Sequence, residues 1–186
     1  RSRGLGDVYK RQVLDADMSL YVDSYRAAET TFNMLTQVVG RAGRGQRPGR
    51  ALIQTMTPEH RVIVLASQQD YGGFYELEAG LREAKGCPPY RDLYTITFSG
   101  PEEGQVLRGA ALFRDSLLGC LEADPYRGLA CQVLGPAPAA VAKINYHYRY
   151  RLTLRTPRSR EVHRLLAYLL RRFAQDRANR GISAFA

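Results

Sequence analysis

The chain has 186 residues, 45% of them hydrophobic and 24% charged, with a formal net charge of +9. That length holds one ordinary domain or two small ones, and the composition supports a packed core. No apolar run approaches the roughly 20 residues of a membrane span, and no leader-like apolar stretch opens the chain; the three cysteines, without a C-x-x-C pair, encode neither a disulfide framework nor a zinc site.

A protein of a reducing cytoplasm is expected from this cysteine usage. The charge is uneven. Lys143 to Arg180 carry eleven Lys and Arg against Glu161 and Asp176, so the positive field belongs to the C-terminal quarter. A concentrated basic region points to a polyanion, because each neutralised phosphate releases a counterion. The plainer alternative is a solvated basic surface.

In chain order, Arg1 to Gln12 stand apart. Asp7-Val8-Tyr9-Lys10-Arg11-Gln12 resembles the translation of a transposon-end adapter used in DNA library preparation, so residues 1–12 are set aside from fold reasoning and the natural sequence is expected from Val13. Val13-Leu14 reads as the end of a buried strand, with Asp15-Ala16-Asp17 in a loop. Ser24 is the expected N-cap of a helix over Arg26 to Val39, whose Phe32, Leu35 and Val39 face a core. Gly40, Gly43, Gly45, Pro48 and Gly49 are expected to break that helix into a basic loop. Ala51 to Thr55 reads as a strand, Pro58 as a helix start, and Tyr71 to Arg82 as a further helix.

Gly86-Cys87-Pro88-Pro89-Tyr90 is a stiff stop, dividing residues 13–86 from residues 87–186. Beyond it come a strand at Leu93 to Ser99, a helix at Glu102 to Leu121, and a strand at Cys131 to Leu134 that ends before Gly135-Pro136-Ala137-Pro138. Tyr146 to Arg155 is another strand. Glu161 to Gln175 is a helix with Val162, Leu165, Leu166, Leu169 and Phe173 on one face, and Ile182 to Phe185 begins a last strand. Strand, helix, two strands, helix, strand is the split βαβ pattern of a small α+β domain.

Two stretches carry chemistry. Gln37-Val38-Val39-Gly40-Arg41-Ala42-Gly43-Arg44 sets two arginines three residues apart at a helix end, with glycines that let the backbone approach a partner. Guanidinium forks suit phosphate oxygens, and an arginine at a transferring phosphoryl group stabilises charge that grows in the transition state. The plainer alternative is a helix end followed by a basic loop. In the second stretch, period two places Tyr146, Tyr148, Tyr150, Leu152 and Leu154 on one strand face, and His147, Arg149, Arg151, Thr153 and Arg155 on the other. The arginine face is a track for a phosphate backbone; Tyr148 or Tyr150, if exposed, would stack a base. No base-reading constellation is visible, and His147 reads as a surface residue.

The form Q-x-x-G-R-x-G-R resembles the last motif of superfamily-two helicases. Leu14-Asp15-Ala16-Asp17, Tyr25-Arg26-Ala27-Ala28-Glu29, Leu35-Thr36-Gln37, Pro58-Glu59-His60, Pro88-Pro89, Val133-Leu134-Gly135-Pro136-Ala137-Pro138, Lys143 and Tyr148-Arg149-Tyr150-Arg151 sharpen this. Together they resemble the PriA family of primosomal replication-restart DNA helicases over Val13 to Ala186. The resemblance implies an α/β plus α+β fold: the end of a RecA-like helicase lobe two, then a small DNA-binding domain. It implies that Arg41 and Arg44 reach ATP across an interlobe cleft, with Gln37 coupling nucleotide to DNA. Lys143, Tyr148, Tyr150, Arg149, Arg151 and Arg155 are the expected DNA contacts. Arg160 and Arg164 are the expected seat of the acidic C-terminal tail of single-stranded DNA-binding protein.

The parent implied is a cytoplasmic, nucleoid-associated enzyme. It binds stalled or branched forks and single-stranded DNA, unwinds 3′ to 5′ with ATP and Mg, and assembles a primosome with other primosome proteins. The departures bear on this chain's own activity. It has no G-x-x-x-x-G-K-[ST], no acidic magnesium-holding motif and none of the cysteine-rich zinc module expected upstream in the parent. The chain is therefore expected to bind DNA without turning over ATP. The rival is a free-standing nucleic-acid-binding module of the small ribosomal-protein type, which has no use for Gln37 to Arg44.

Overall fold

A computed structural model describes residues 10–42 and 50–186. The chain divides into two compact units, Arg1–Ala84 and Lys85–Ala186. Among the described residues no helix is long and apolar enough to cross a membrane.

In the first unit, strand β1 (Lys10–Val13) pairs in parallel with β2 (Arg50–Ile53). Parallel partners need a crossover, and here it includes helices α1 (Asp17–Leu20) and α2 (Ala27–Arg41). Lys10, Arg11 and Gln12, set aside in the sequence, extend β1; strand pairing uses main-chain groups, which every residue but proline brings in full. Helices α3 (Arg61–Ser67) and α4 (Tyr71–Lys85) follow. Phe32 and Leu35 of α2, Val62, Ile63 and Ala66 of α3, and Phe74 of α4 form the core. The Phe32 and Phe74 rings stack with centroids 4.0 Å apart. Arg82 of α4 pairs with both Glu78 and, on α2, Glu29, each at 2.8 Å.

Four local expectations need correction. Asp17 is no loop residue: it opens α1 and is buried. Its carboxylate accepts from Thr55 Oγ1 (2.9 Å), the Met56 backbone N–H (2.7 Å) and the Thr57 hydroxyl, tying α1 to the segment after β2. Ser24 accepts from the Arg26 backbone N–H at 3.2 Å, one turn ahead of α2 rather than as its cap. Pro58 lies before α3, which starts at Arg61 under His60, whose Nδ1 accepts from the Val62 N–H. Gly40 does not end α2, which runs on to Arg41.

The second unit is an antiparallel sheet with two long helices. Its elements are β3 (Asp92–Gly100), α5 (Glu103–Leu121), β4 (Gln132–Ile144), β5 (His147–Thr156), α6 (Arg160–Gln175) and β6 (Ser183–Phe185). The strand order β4-β5-β3-β6 is that of a split βαβ α+β domain. Ile96, Phe98, Leu152 and Leu154 leave one sheet face to meet Val106, Ala110, Phe113 and Leu117 of α5. The same cluster takes Val162, Leu165, Leu166, Leu169 and Phe173 from α6. Phe98 sits edge-on to both Phe113 and Phe173, each at 5.3 Å.

Two strand boundaries also differ from expectation. Gly135 does not stop β4. At φ +99° it passes so close to β5 that a Cβ would lie 2.7 Å from the Arg151 carbonyl oxygen, and the register shifts there instead of the strand ending. Pro136 and Pro138 are tolerated because β4 is an edge strand, where a missing N–H costs no ladder bond. Tyr146 is not part of β5; with Asn145 it forms the two-residue turn between β4 and β5.

Hydrogen bonds from Thr57, Met56 and Thr55 hold the Asp17 carboxyl below its ordinary value of 3.8. A lowered folded-state value contributes stability that is present above the unfolded value and lost as pH falls through the folded one. Asp17→Asn is therefore expected to lower the unfolding temperature of the first unit at about pH 7. The gap to the unsubstituted chain should close as pH falls below the ordinary value of 3.8, as thermal unfolding followed across that range would show.

Candidate functional site

Along α2, Asn33, Gln37 and Arg41 recur every four residues and so share one face. That face, with Thr36 and Gly40, lines a cleft of about 450 Å³ whose other side is Gln69 and Tyr71. Gln37 and Arg41 are exposed. Arg41 lies in the last turn, where the helix dipole favours a cation. Gly43 and Arg44, the remainder of the motif, lie outside the described residues. A Cβ at Gly40 would stand 3.2 Å from Gln69 Nε2, the far end of a flexible side chain, so α2 passes close to that amide there.

Gln69 has the left-handed φ of +57° at the end of α3. Its N–H donates to Ala66 O and the Asp70 N–H to Leu65 O, the pair of hydrogen bonds that satisfies a helix end when the chain turns left-handed. Glycine is usual at that position because a side chain there costs about 1–2 kcal/mol. Asp70 then caps α4, its Oδ1 accepting from the Gly73 N–H at 2.9 Å. The strained backbone puts an amide beside Gln37 and Arg41, and no periodicity in the sequence announces it.

In the second unit, Leu152 and Leu154 point into the core, so Arg149, Arg151, Thr153 and Arg155 point from the opposite sheet face. The register sets Arg149 beside Ser99, Arg151 beside Thr97 and Arg155 beside Leu93. Arg155 Nη1 donates to Gln132 Oε1 at 3.2 Å, which steadies that end of the row. The predicted tyrosines divide. Tyr150 packs against the core, and its hydroxyl donates to Glu103 Oε1 at 2.9 Å, a bond that raises its pKa above the ordinary tyrosine value. Lys143 pairs across the hairpin with Tyr148, so it shares that ring's face rather than the arginine face. Its Nζ lies 4.2 Å from the ring centre and 3.1 Å from the hydroxyl.

The helix arginines gather elsewhere. Arg158, Arg160, His163 and Arg164 line a cleft of about 340 Å³ with Asp92, Tyr94 and Ser159. Ser159 caps α6, accepting from the Val162 N–H and donating to Glu161 Oε2 at 2.8 Å. That donation, the Glu161 backbone N–H and the charges of Arg164 and Arg160 hold the Glu161 carboxyl below the ordinary range. The predicted pair Arg160 and Arg164 thus stands in one cleft, joined by Arg158 and His163. Asp92 and Tyr94, contributed from β3, are invisible to a reading of the helix alone. Among the described residues no group of three or more His, Cys, Asp or Glu is gathered to hold a metal.

A basic sheet face, a basic cleft at a helix start and a motif-bearing α2 narrow the family. Residues 83–185 match the model of the primosomal protein N C-terminal domain. The chain belongs to this family. It is similar to the replication restart protein PriA of Bacillus subtilis, 35% identical over 164 residues, which are 88% of this chain and 20% of that protein. The Synechocystis protein of the same name is 38% identical over 148 residues, 78% of this chain and 17% of its own length. That of Treponema pallidum is 36% identical over 142 residues, 76% of this chain and 21% of its own. The chain therefore spans about a fifth of the length of these relatives.

Gln69→Gly is expected to stabilise the first unit by about 0.5–1 kcal/mol, since glycine adopts a positive φ without the Cβ clash. Urea unfolding of both chains measures it. A loss of stability would mean that the amide makes a compensating contact.

Proposed function

We propose that this chain is the end of the motor and the C-terminal DNA-binding domain of a replication-restart helicase. The first unit is then the end of a RecA-like lobe two, and the second engages branched or single-stranded DNA without sequence preference. The parent unwinds DNA 3′ to 5′ with ATP and Mg, assembles a primosome at stalled forks, and works in the cytoplasm at the nucleoid. What supports this is the family match together with one geometric fact. Both helices of the second unit occupy one sheet face, and β5 turns Arg149, Arg151 and Arg155 to the other.

In this reading Arg41 and Arg44 are arginine fingers and Gln37 couples nucleotide to DNA. Arginine charge at a transferring phosphoryl group stabilises the transition state, and the exposure of Arg41 on a cleft suits that work. The chain has no phosphate-binding loop of its own, so the nucleotide is held by other parts of the parent. The zinc module likewise belongs to the parent. Arg160 and Arg164, with Arg158 and His163, form the seat for the acidic tail of single-stranded DNA-binding protein. Several guanidinium groups around a cleft of about 340 Å³ suit carboxylates better than an extended duplex backbone.

Two measurements test the assignment of roles. Arg149→Ala with Arg151→Ala is expected to weaken DNA binding and to reduce the slope of log affinity on log salt by about 1.4, at about 0.7 per phosphate lost on single strands. Thermal unfolding of the same variant checks that the lost affinity is not a loss of fold. Arg160→Ala with Arg164→Ala is expected to abolish binding of an acidic tail peptide and to spare DNA. Equal loss of both ligands in both variants would make the surface one undivided basic patch. For the motor, Arg41→Ala or Arg44→Ala in a complete parent should lower kcat by ~10³-fold or more with DNA affinity retained. This chain alone should hydrolyse no ATP.

A further inference from the structure

The hairpin joining β4 and β5 turns through Asn145 and Tyr146, at φ +48° and +63°. Two successive positive φ values make the type I′ turn, whose twist matches that of the flanking strands. Asparagine tolerates the first position. The second is ordinarily glycine, and for a residue as bulky as tyrosine a positive φ is a true outlier. Packing among the described residues does not offset the strain, because Tyr146 is 86% exposed. A strained, solvent-facing aromatic is understandable where its ring meets something outside the chain.

The surroundings say what that is. Val141 and Ile144 are exposed beside the turn, and Lys143 stands against Tyr148 just behind it. His147 and Arg149 follow on the arginine face of β5. No carboxylate occurs from Cys131 to Ser159, so the hairpin itself brings only cations to the ring, while Glu103 of α5 reaches β5 at the Tyr150 hydroxyl. An acidic peptide would answer the charge, but it meets an open ring only through apolar side chains, which its acidity makes scarce. A nucleic acid answers both, with phosphates for the cations and an unpaired base for the ring.

We propose that Tyr146 is a base-stacking residue, presenting its ring to an unpaired base of DNA whose backbone follows the arginine face of β5. Tyr148 and Tyr150, whose rings are committed to Lys143 and to the core, are the supports of the hairpin. The inference rests on the DNA-binding reading above, and the experiment separates the two.

The whole chain is titrated with a DNA carrying a duplex–single-strand junction and 2-aminopurine at an unpaired position. Tyr146→Gly is expected to weaken binding by about 5-fold to about 140-fold, the range of one lost base–aromatic stack. The salt slope should stay unchanged, because no phosphate contact is removed. The unfolding temperature should hold or rise, because glycine relaxes the turn. Tyr146→Phe should bind as the unsubstituted chain does, and stacking by the unsubstituted chain should change the 2-aminopurine fluorescence in a way that Tyr146→Gly abolishes. Unchanged affinity in Tyr146→Gly, with binding weakened in the Arg149→Ala and Arg151→Ala double variant, overturns the stacking role and leaves the DNA reading standing. Unchanged affinity in both overturns both. A Phe variant as weak as the Gly variant would also overturn stacking, by pointing to the hydroxyl.

Discussion

Phe98 determines how the second unit is built. It leaves β3 near the C-terminal end of the strand, fully buried, and meets Phe113 of α5 and Phe173 of α6 edge-on at the same distance of 5.3 Å. One ring therefore draws both helices to one side of the sheet. Edge-to-face pairs add about 0.5–1.5 kcal/mol each to the burial of such rings. With both helices on that side, β5 can bury Leu152 and Leu154 only there, and its alternate residues are forced to the other face. The arginine row is thus a consequence of where the phenylalanines pack.

The first unit rests on a polar anchor instead. Asp17 is buried and gathers hydrogen bonds from Thr55, Met56 and Thr57. A buried carboxylate without partners would be costly, and with them it fixes the segments on either side. Behind α2, the stacked Phe32 and Phe74 hold α4 in place, and Arg82 adds its bonds to Glu29 and Glu78. Both clamps set the α2 face that carries Asn33, Gln37 and Arg41.

Strain marks two of the surfaces argued to be functional. Gln69 and Tyr146 both occupy left-handed positions where glycine is the usual choice. In each case the side chain kept at that cost stands at a surface rather than in the core. Gln69 adds an amide to the cleft of Arg41, and Tyr146 puts a ring into solvent beside a basic strand. Packing explains neither, since neither residue is buried.

Periodicity in the sequence was enough for the elements that bury one continuous face. The predicted apolar face of α6 is buried residue for residue, and the order strand, helix, two strands, helix, strand is the order found. The alternation of β5 likewise separated arginines from leucines correctly. Signals carried by single residues were less complete. Glycine and proline at Gly135 to Pro138 suggested an end, yet the strand continues, because an edge position and a close approach to Arg151 make those residues usable there. Gly40 suggested a break, and α2 runs one residue past it, to Arg41. Sequence by itself determined which residues share a face, since spacing along a helix or strand is a local matter of backbone geometry. Only the tertiary structure decided that Asp92 and Tyr94 join the arginines of α6, that Lys143 faces Tyr148, and that Tyr146 alone of the three tyrosines stands mostly in solvent. Those juxtapositions depend on register and on the turn, which long-range packing settles and local spacing does not carry.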